Sequence, residues 1–281
     1  MTGNVSAQTA LDPRRLVFVG GLHRSGTTPL TRALSQHPDI GGLTDTGVTE
    51  DEGQHLQDVY PAARSYGGAG RFALDPRSHL TEASDLVRPD TAQRLSDAWR
   101  PYWDLERRYL VEKSPPNIVM NRFLQAVYPG SSIIVVMRHP VIVALSTVKW
   151  RRILSRHAQN HASLDTMLDN WVHAYTTFLA DLPHLDRVAV LRYEDLVTEP
   201  ARTLRAVEEL LELDRPVPHD SLRASHSAEY EQRWAAMERS LLGRRQRARL
   251  ISRYGEAVGR FGYDLADVRA LGPLELPAPR R

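Results

Sequence analysis

Short runs dominated by apolar residues break an otherwise polar chain at 16–19, 109–113, 132–137 and 187–191. Runs of this length without polar alternation predict strands buried on both faces, as in a parallel sheet. The stretch 132–137, Ser-Ile-Ile-Val-Val-Met, is the clearest of them, and 39–43 predicts a shorter strand. Between the runs the pattern changes to a helical period. Leu30, Ala33 and Leu34 share one face of a helix that His37-Pro38 closes. Helices are also predicted over 91–109, 117–128 (stopped by Pro129-Gly130), 141–154, 164–182 and 200–213, and an arginine-rich helical part over 224–263. Residues 61–90, rich in Gly, Pro, Ser and Arg, predict a long loop. Strand alternating with helix predicts the α/β class: a parallel sheet flanked by helices in a single domain with a helical C-terminal part. The domain is expected over 16–270, between tails at 1–15 and 271–281.

In such sheets ligands sit beyond the carboxyl ends of the strands, and the unusual residues of this chain fall there. The first strand enters Gly20-Gly21-Leu22-His23-Arg24-Ser25-Gly26-Thr27-Thr28. Gly21 to Gly26 has the G-x-x-x-x-G spacing of a phosphate-binding loop, but Thr27 stands where a nucleotide triphosphatase carries lysine. Amides of a glycine-rich turn and the positive end of the next helix make an anion site, to which Arg24 adds a cation and Thr27 and Thr28 add hydroxyls. The bland alternative is a tight turn with no ligand. The strand at 132–137 leads into Arg138, and Ser146 follows eight residues later on the next helix, so both can point at one phosphate. A triphosphatase usually holds magnesium through an acid at this strand end. Lys113 ends another strand, in Glu-Lys-Ser-Pro-Pro, where the prolines stiffen its loop and the ammonium can neutralise a leaving phosphate. The acidic stretch 44–57 offers Asp45, Glu50, Asp51 and Glu52, any of which can serve as general base or stand as a solvated face.

Composition narrows the chemistry. The 281 residues are 42% hydrophobic and 25% charged, with a formal net charge of +2, so bulk nucleic-acid binding is not indicated. Without cysteine there is no disulfide, thiolate metal site or cysteine nucleophile. No run is long enough to span a bilayer, and residues 1–15 are too polar for a signal peptide, which leads to a cytoplasmic expectation. Lys113 and Lys149 are the only lysines among 36 basic residues, and arginine cannot stand in for a compact ammonium. His157 and His161 have i, i+4 spacing without the glutamate of H-E-x-x-H, and read as surface histidines. No G-x-G-x-x-G dinucleotide motif is present.

Taken together, the loop at 20–28, Val-Val-Met-Arg-His-Pro followed by Ser146, and Leu191-Arg-Tyr-Glu-Asp-Leu196 followed by Pro200 resemble the sulfotransferase family, with a P-loop-like fold. Arg-Ser-Gly-Thr-Thr is nearest in flavour to the tyrosylprotein sulfotransferase type and its bacterial relatives. The resemblance covers about residues 16–213 and thins over 61–108. It implies 3′-phosphoadenylyl sulfate (PAPS) as co-substrate and no metal. It also implies that Arg24, Ser25, Gly26, Thr27 and Thr28 hold the 5′-phosphosulfate, that Arg138 and Ser146 hold the 3′-phosphate, and that Tyr193 lies by the nucleotide. Lys113 then stabilises the leaving group, and Arg24 assists as a catalytic cation. The family's base, counted from the loop, falls at Asp45, which is shorter than glutamate; Glu52 is close by and reaches further. Ser240 and the arginines at 244, 245 and 247 match the late basic loop that closes over the 3′-phosphate.

The expected activity is sulfuryl transfer to a hydroxyl of a small molecule, glycan or peptide, with a small molecule or biosynthetic intermediate preferred. The alternatives are a metal-dependent small-molecule kinase and a nucleotide-binding module without turnover.

Overall fold

Consecutive side chains of a strand point to opposite faces of its sheet, so each apolar run feeds two cores at once. The computed structural model describes residues 11–154, 163–222, 227–278 and 280. Strands β1 (Leu16–Gly21), β2 (Ile40–Gly42), β3 (Tyr109–Lys113), β4 (Ser132–Met137) and β5 (Val188–Arg192) form one sheet in the order β2-β3-β1-β4-β5. Every neighbouring pair is parallel. Phe18, Leu110, Ile133 and Val135 face a core completed by α2 (Thr91–Trp99), α3 (Asn121–Val127), α4 (Pro140–Leu154), α5 (Leu164–Asp181) and α9 (Leu241–Gly259). Val17, Val19, Val111, Ile134 and Val136 face a second core against α1 (Thr27–Leu34), α6 (Tyr193–Thr198) and α7 (Pro200–Leu210). The expected α/β class holds, with the helical C-terminal part made of α8 (Ala228–Ala236) and α9.

Several boundaries differ from expectation for local reasons. The helix expected over 91–109 ends at Trp99. Pro101 has no N–H and its ring crowds the preceding turn, so a 3-10 turn at Arg100–Tyr102 replaces it. Pro115 and Pro116 likewise start a 3-10 turn, Pro115–Val119, and α3 begins only at Asn121. The helix expected over 224–263 is broken by a 3-10 turn at Met237–Arg239 and by extended Ser240. Residues 193–198, directly after β5, form the short helix α6.

The long loop over 61–90 is tied down rather than loose. It contains 3-10 turns at Ala63–Tyr66, Phe72–Leu74 and Pro76–Ser78, and it buries Phe72 completely. Ala73 donates its N–H to Asn170 Oδ1 (2.9 Å), and His79 Nε2 lies 2.8 Å from Asp181 Oδ2. Of the expected N-terminal tail, 1–10 lie outside the described residues, whereas Pro13–Arg15 is a 3-10 turn capped by Asp12. Arg15 donates to the carbonyls of Leu105 and Arg107. At the other end Gly272 N–H donates to Gly262, and Arg280 N–H to Leu185. Among the described residues no helix is long and apolar enough to cross a membrane.

Chain order places β1 at the centre of the sheet: the chain moves to one side for β2 and β3, then crosses to the other for β4 and β5. The crossing leaves a crevice beyond the carboxyl end of β1, where the loops after β1, β3, β4 and β5 meet.

Candidate functional site

The loop after β1 is shaped by two glycines in backbone conformations that strain any other residue. Gly21 has φ +148°, and a Cβ there would lie 2.4 Å from the Val136 carbonyl. Gly26 has φ +105°, and its Cβ would lie 2.2 Å from the Tyr193 ring. The loop therefore lies flat against the ring, and α1 starts immediately after it with its first amides lacking partners inside the helix. Arg24 takes a left-handed φ of 71° without being glycine, a strained conformation that aims its side chain. Gly26→Ala is expected to destabilise the fold by about 2–5 kcal/mol, from left-handed strain plus overpacking. A thermal melt checks this; an unchanged midpoint would mean that the ring yields without cost.

The β1–β4 register, with Gly21 opposite Val136, sets this loop beside Arg138. Arg24 Nε donates to Ser146 Oγ (3.1 Å), and Arg138 Nη1 donates to the Arg24 carbonyl (2.9 Å). The stretches 24–28 and 138–146 are thus in direct contact along one edge. Arg138 is 5% exposed; its guanidinium carbon lies 4.2 Å from the Tyr193 ring centroid, and Nη2 donates to Ser227 Oγ (2.8 Å). Burial pulls its pKa below the usual arginine value, and its Nε is buried without a partner. The turn bearing Arg138 is braced from three sides. Trp171 Nε1 donates to the Arg138 carbonyl (2.9 Å), Glu194 accepts from His139 N–H (2.9 Å), and the Tyr263 hydroxyl donates to Glu194 (3.0 Å).

Across the loop, Lys113 at the end of β3 is 3% exposed. Its Nζ donates to the Glu50 carbonyl (2.7 Å) and to Glu52 Oε1 (3.3 Å). The second Glu52 oxygen accepts from Gln54 Nε2 (2.5 Å), and His55 Nε2 lies 3.7 Å from it. His23, Arg24, Thr27, Thr28, Glu50, Glu52 and His55 line an open cleft with about 600 Å³ of empty space. Thr28 and Glu50 also border a neighbouring cleft that reaches Lys113 along α1. Burial lowers the pKa of both His23 and His55, which favours neutral imidazoles.

Glu52 stands with Lys113, whereas Asp45 is exposed, takes a left-handed φ of 55° and lines neither cleft. Ser240 is exposed and caps α9, accepting from Gly243 N–H (3.0 Å). Arg247 packs over Trp234 and bonds to Glu238 and the Ala266 carbonyl, while Arg244 and Arg245 are exposed on α9. Ser227, unforeseen from the sequence, is the late hydroxyl that meets Arg138. Lys149 pairs with Glu229 on the surface. His157 and His161 lie outside the described residues. His23 and His55 were also unforeseen; their only signals were a place inside the glycine loop and a place three residues after Glu52.

The chemistry of these residues suits anionic groups. Arg24, Thr27 and Thr28 line one cleft, Thr28 and Lys113 border the neighbouring one, and Arg138, whose Nε is buried without a partner, meets the same loop from the side of Ser146. Among the described residues, no cluster of His, Asp or Glu has metal-ligand geometry.

Comparison with known proteins gives the family and the fold. The sulfotransferase family profile matches residues 16–217. The omega-hydroxy-beta-dihydromenaquinone-9 sulfotransferase Stf3 of Mycobacterium bovis is 27% identical over 168 residues, 56% of this chain and 42% of that protein. The chain therefore spans less than half the length of this relative. Among solved structures, sulfotransferase STF9 from Mycobacterium avium superposes with a TM-score of 0.51 at 15% identity, over 79% of this chain and 68% of that one. A sulfotransferase from Alicyclobacillus acidocaldarius gives 0.48 at 18% identity, over 87% and 95%. The STF9 likeness speaks for the fold.

Proposed function

Because the chain belongs to the sulfotransferase family, we propose that it moves a sulfuryl group from PAPS to the hydroxyl of a small-molecule acceptor, with Glu52 as general base. The observation that carries this reading is the contact between the two anion-binding stretches, Arg24 to Ser146 and Arg138 to Arg24. One nucleotide can then be held at its 5′ end by 24–28 and at its 3′ end by 138–146. The relative named above acts, by its name, on an omega-hydroxy compound, which supports a hydroxyl acceptor.

In the reaction, Glu52 takes the proton of the acceptor hydroxyl as its oxygen forms the new bond to sulfur. The bond from sulfur to the bridging oxygen breaks, and adenosine 3′,5′-bisphosphate (PAP) leaves. Lys113 and Arg24 offset the charge that gathers on the departing phosphate, with loop amides and the α1 N-terminus adding fixed dipoles. Positioning and electrostatics supply the rate, as they do in phosphoryl transfer. The sulfuryl group carries less charge than a phosphoryl group, so cationic side chains suffice at this centre.

Release of PAP from PAPS with a panel of alcohols, sugars and phenols tests the reading. Turnover of PAPS is expected, with none of ATP and magnesium. Preference for ATP would replace this reading with a kinase, and tight PAP binding without turnover of any acceptor would leave a binding module.

A further inference from the structure

We propose that Glu112, which borders neither cleft, is a positioning residue: through Ser114 and Gln54 it fixes the Glu52 carboxylate against Lys113. This rests on the reading of Glu52 as the base.

Glu112 and Lys113 are neighbours on β3, so their side chains leave opposite faces of the strand. Lys113 joins the site, and Glu112 is fully buried on the other side, in register with Phe18. A carboxyl group there is costly unless its oxygens are used, and both are. Ser114 Oγ donates to Oε1 (2.5 Å) and Asn117 Nδ2 donates to Oε2 (2.6 Å). Burial still pushes the Glu112 pKa up to about 7. A polar group this expensive to bury, set beside a reactive residue, calls for a reason beyond packing.

The hydrogen bonds supply one. Ser114 has a single hydroxyl proton. With that proton committed to Glu112, the lone pairs of Ser114 Oγ turn to the Gln54 N–H, which donates at 2.9 Å. Gln54 is oriented at its other end as well, because its Oε1 accepts from Ala63 N–H (2.8 Å). Its Nε2 must therefore face Glu52, and it does, at 2.5 Å. Gly53 lies directly against Glu112, where a Cβ would sit 2.5 Å from Oε1, and Trp99 Nε1 donates to the Gly53 carbonyl (3.0 Å). Gly53 is thus laid directly on Glu112, Gln54 is tied to it through Ser114, and Glu52 is held in turn by Gln54. Asn117 also donates to the Val19 carbonyl (3.2 Å), which ties the same carboxyl to the strand that bears the anion loop. A misplacement of about 1 Å can cost ~10²-fold in rate, so a relay that fixes one carboxylate oxygen acts on turnover rather than on nucleotide binding.

The test measures kcat and KM for Glu112→Gln, Ser114→Ala, Ser114→Thr and the Glu112→Gln/Ser114→Ala pair. It uses PAPS and the panel alcohol that the unaltered enzyme turns over fastest. Glu112→Gln, which leaves one accepting oxygen where Ser114 and Asn117 now use two, and Ser114→Ala, which removes the linking hydroxyl, are each expected to lower kcat by about 10- to 100-fold, with KM for PAPS and Kd for PAP within about twofold. The pair is expected to lose little more than either single variant, since coupled residues do not add. Ser114→Thr keeps the hydroxyl and is expected to keep the rate. If Glu112→Gln does not fold, Ser114→Ala against Ser114→Thr decides alone. Unchanged kcat in Ser114→Ala, fully multiplicative losses in the pair, or losses shared equally by PAP affinity would overturn the relay. Glu52→Gln, assayed in parallel, separates the two readings. If it is inactive while Glu112→Gln and Ser114→Ala are fully active, only the relay fails; if it is fully active, the base assignment and the relay fail together.

Discussion

Glu52→Gln is expected to lower kcat by about 10²–10⁴-fold, the usual worth of a positioned general base, while PAP binds as before. The substitution keeps length and volume, and it keeps an oxygen for Lys113, 3.3 Å from the present carboxylate. What it removes is the capacity to take a proton. The expected split, lost turnover with retained nucleotide affinity, follows from position: Glu52 stands on the Lys113 side of the anion loop, and Arg138 on the other. Asp45→Asn is the matching control, because that side chain is exposed and borders neither cleft. Kinetics of the two variants, with PAP titrations of each, decide the matter. Full activity in Glu52→Gln with loss in Asp45→Asn would reverse the assignment and require the 44–51 segment to rearrange on binding.

Arg138→Ala is expected to weaken PAP binding by at least about 10²-fold, within the range of 2–5 kcal/mol found when one member of a buried charged pair is removed. Affinity for adenosine 5′-monophosphate, which lacks the 3′-phosphate, should change far less. The side chain is 5% exposed and packs on Tyr193, so the charge acts with little screening from water. Part of any loss will come from the loop, since Arg138 also holds the Arg24 carbonyl. Arg138→Lys separates the two contributions: it retains charge but not the planar fork that serves the carbonyl and Ser227 together. Titration calorimetry with the two nucleotides reads the result. Equal preference for PAP over the monophosphate in Arg138→Ala and in the unaltered chain would remove Arg138 from the 3′ site.

What was legible in the sequence follows from the range over which each feature is decided. Buried parallel strands announce themselves locally, because both faces need apolar residues, and 132–137 is β4 to the residue. The glycine loop was legible for a similar reason: its conformation demands glycine at Gly21 and Gly26. The meeting of Arg24 with Ser146 spans 122 positions and is set by the parallel β1–β4 register, which sequence order alone supports only through the α/β pattern. The position of Glu52 relative to Asp45 was not legible. It depends on left-handed turns at Asp45, Gly47, Glu50 and Asp51, a conformation that residues other than glycine take only uncommonly. Ser240 illustrates a different limit. A serine before a basic helix serves a phosphate or a helix cap equally well by pattern, and here it caps. Ser227 meets Arg138 from 89 positions away with no local mark at all.

The left-handed residues have one more consequence. Arg24 and Glu50 both line the cleft, each in a conformation that glycine would adopt without steric strain. Random selection for heat resistance alone would find replacements there early, and those replacements would slacken the walls of the cleft. Endurance and turnover therefore pull in opposite directions at these two positions, so a homologue adapted to hot surroundings would have to gain its stability elsewhere.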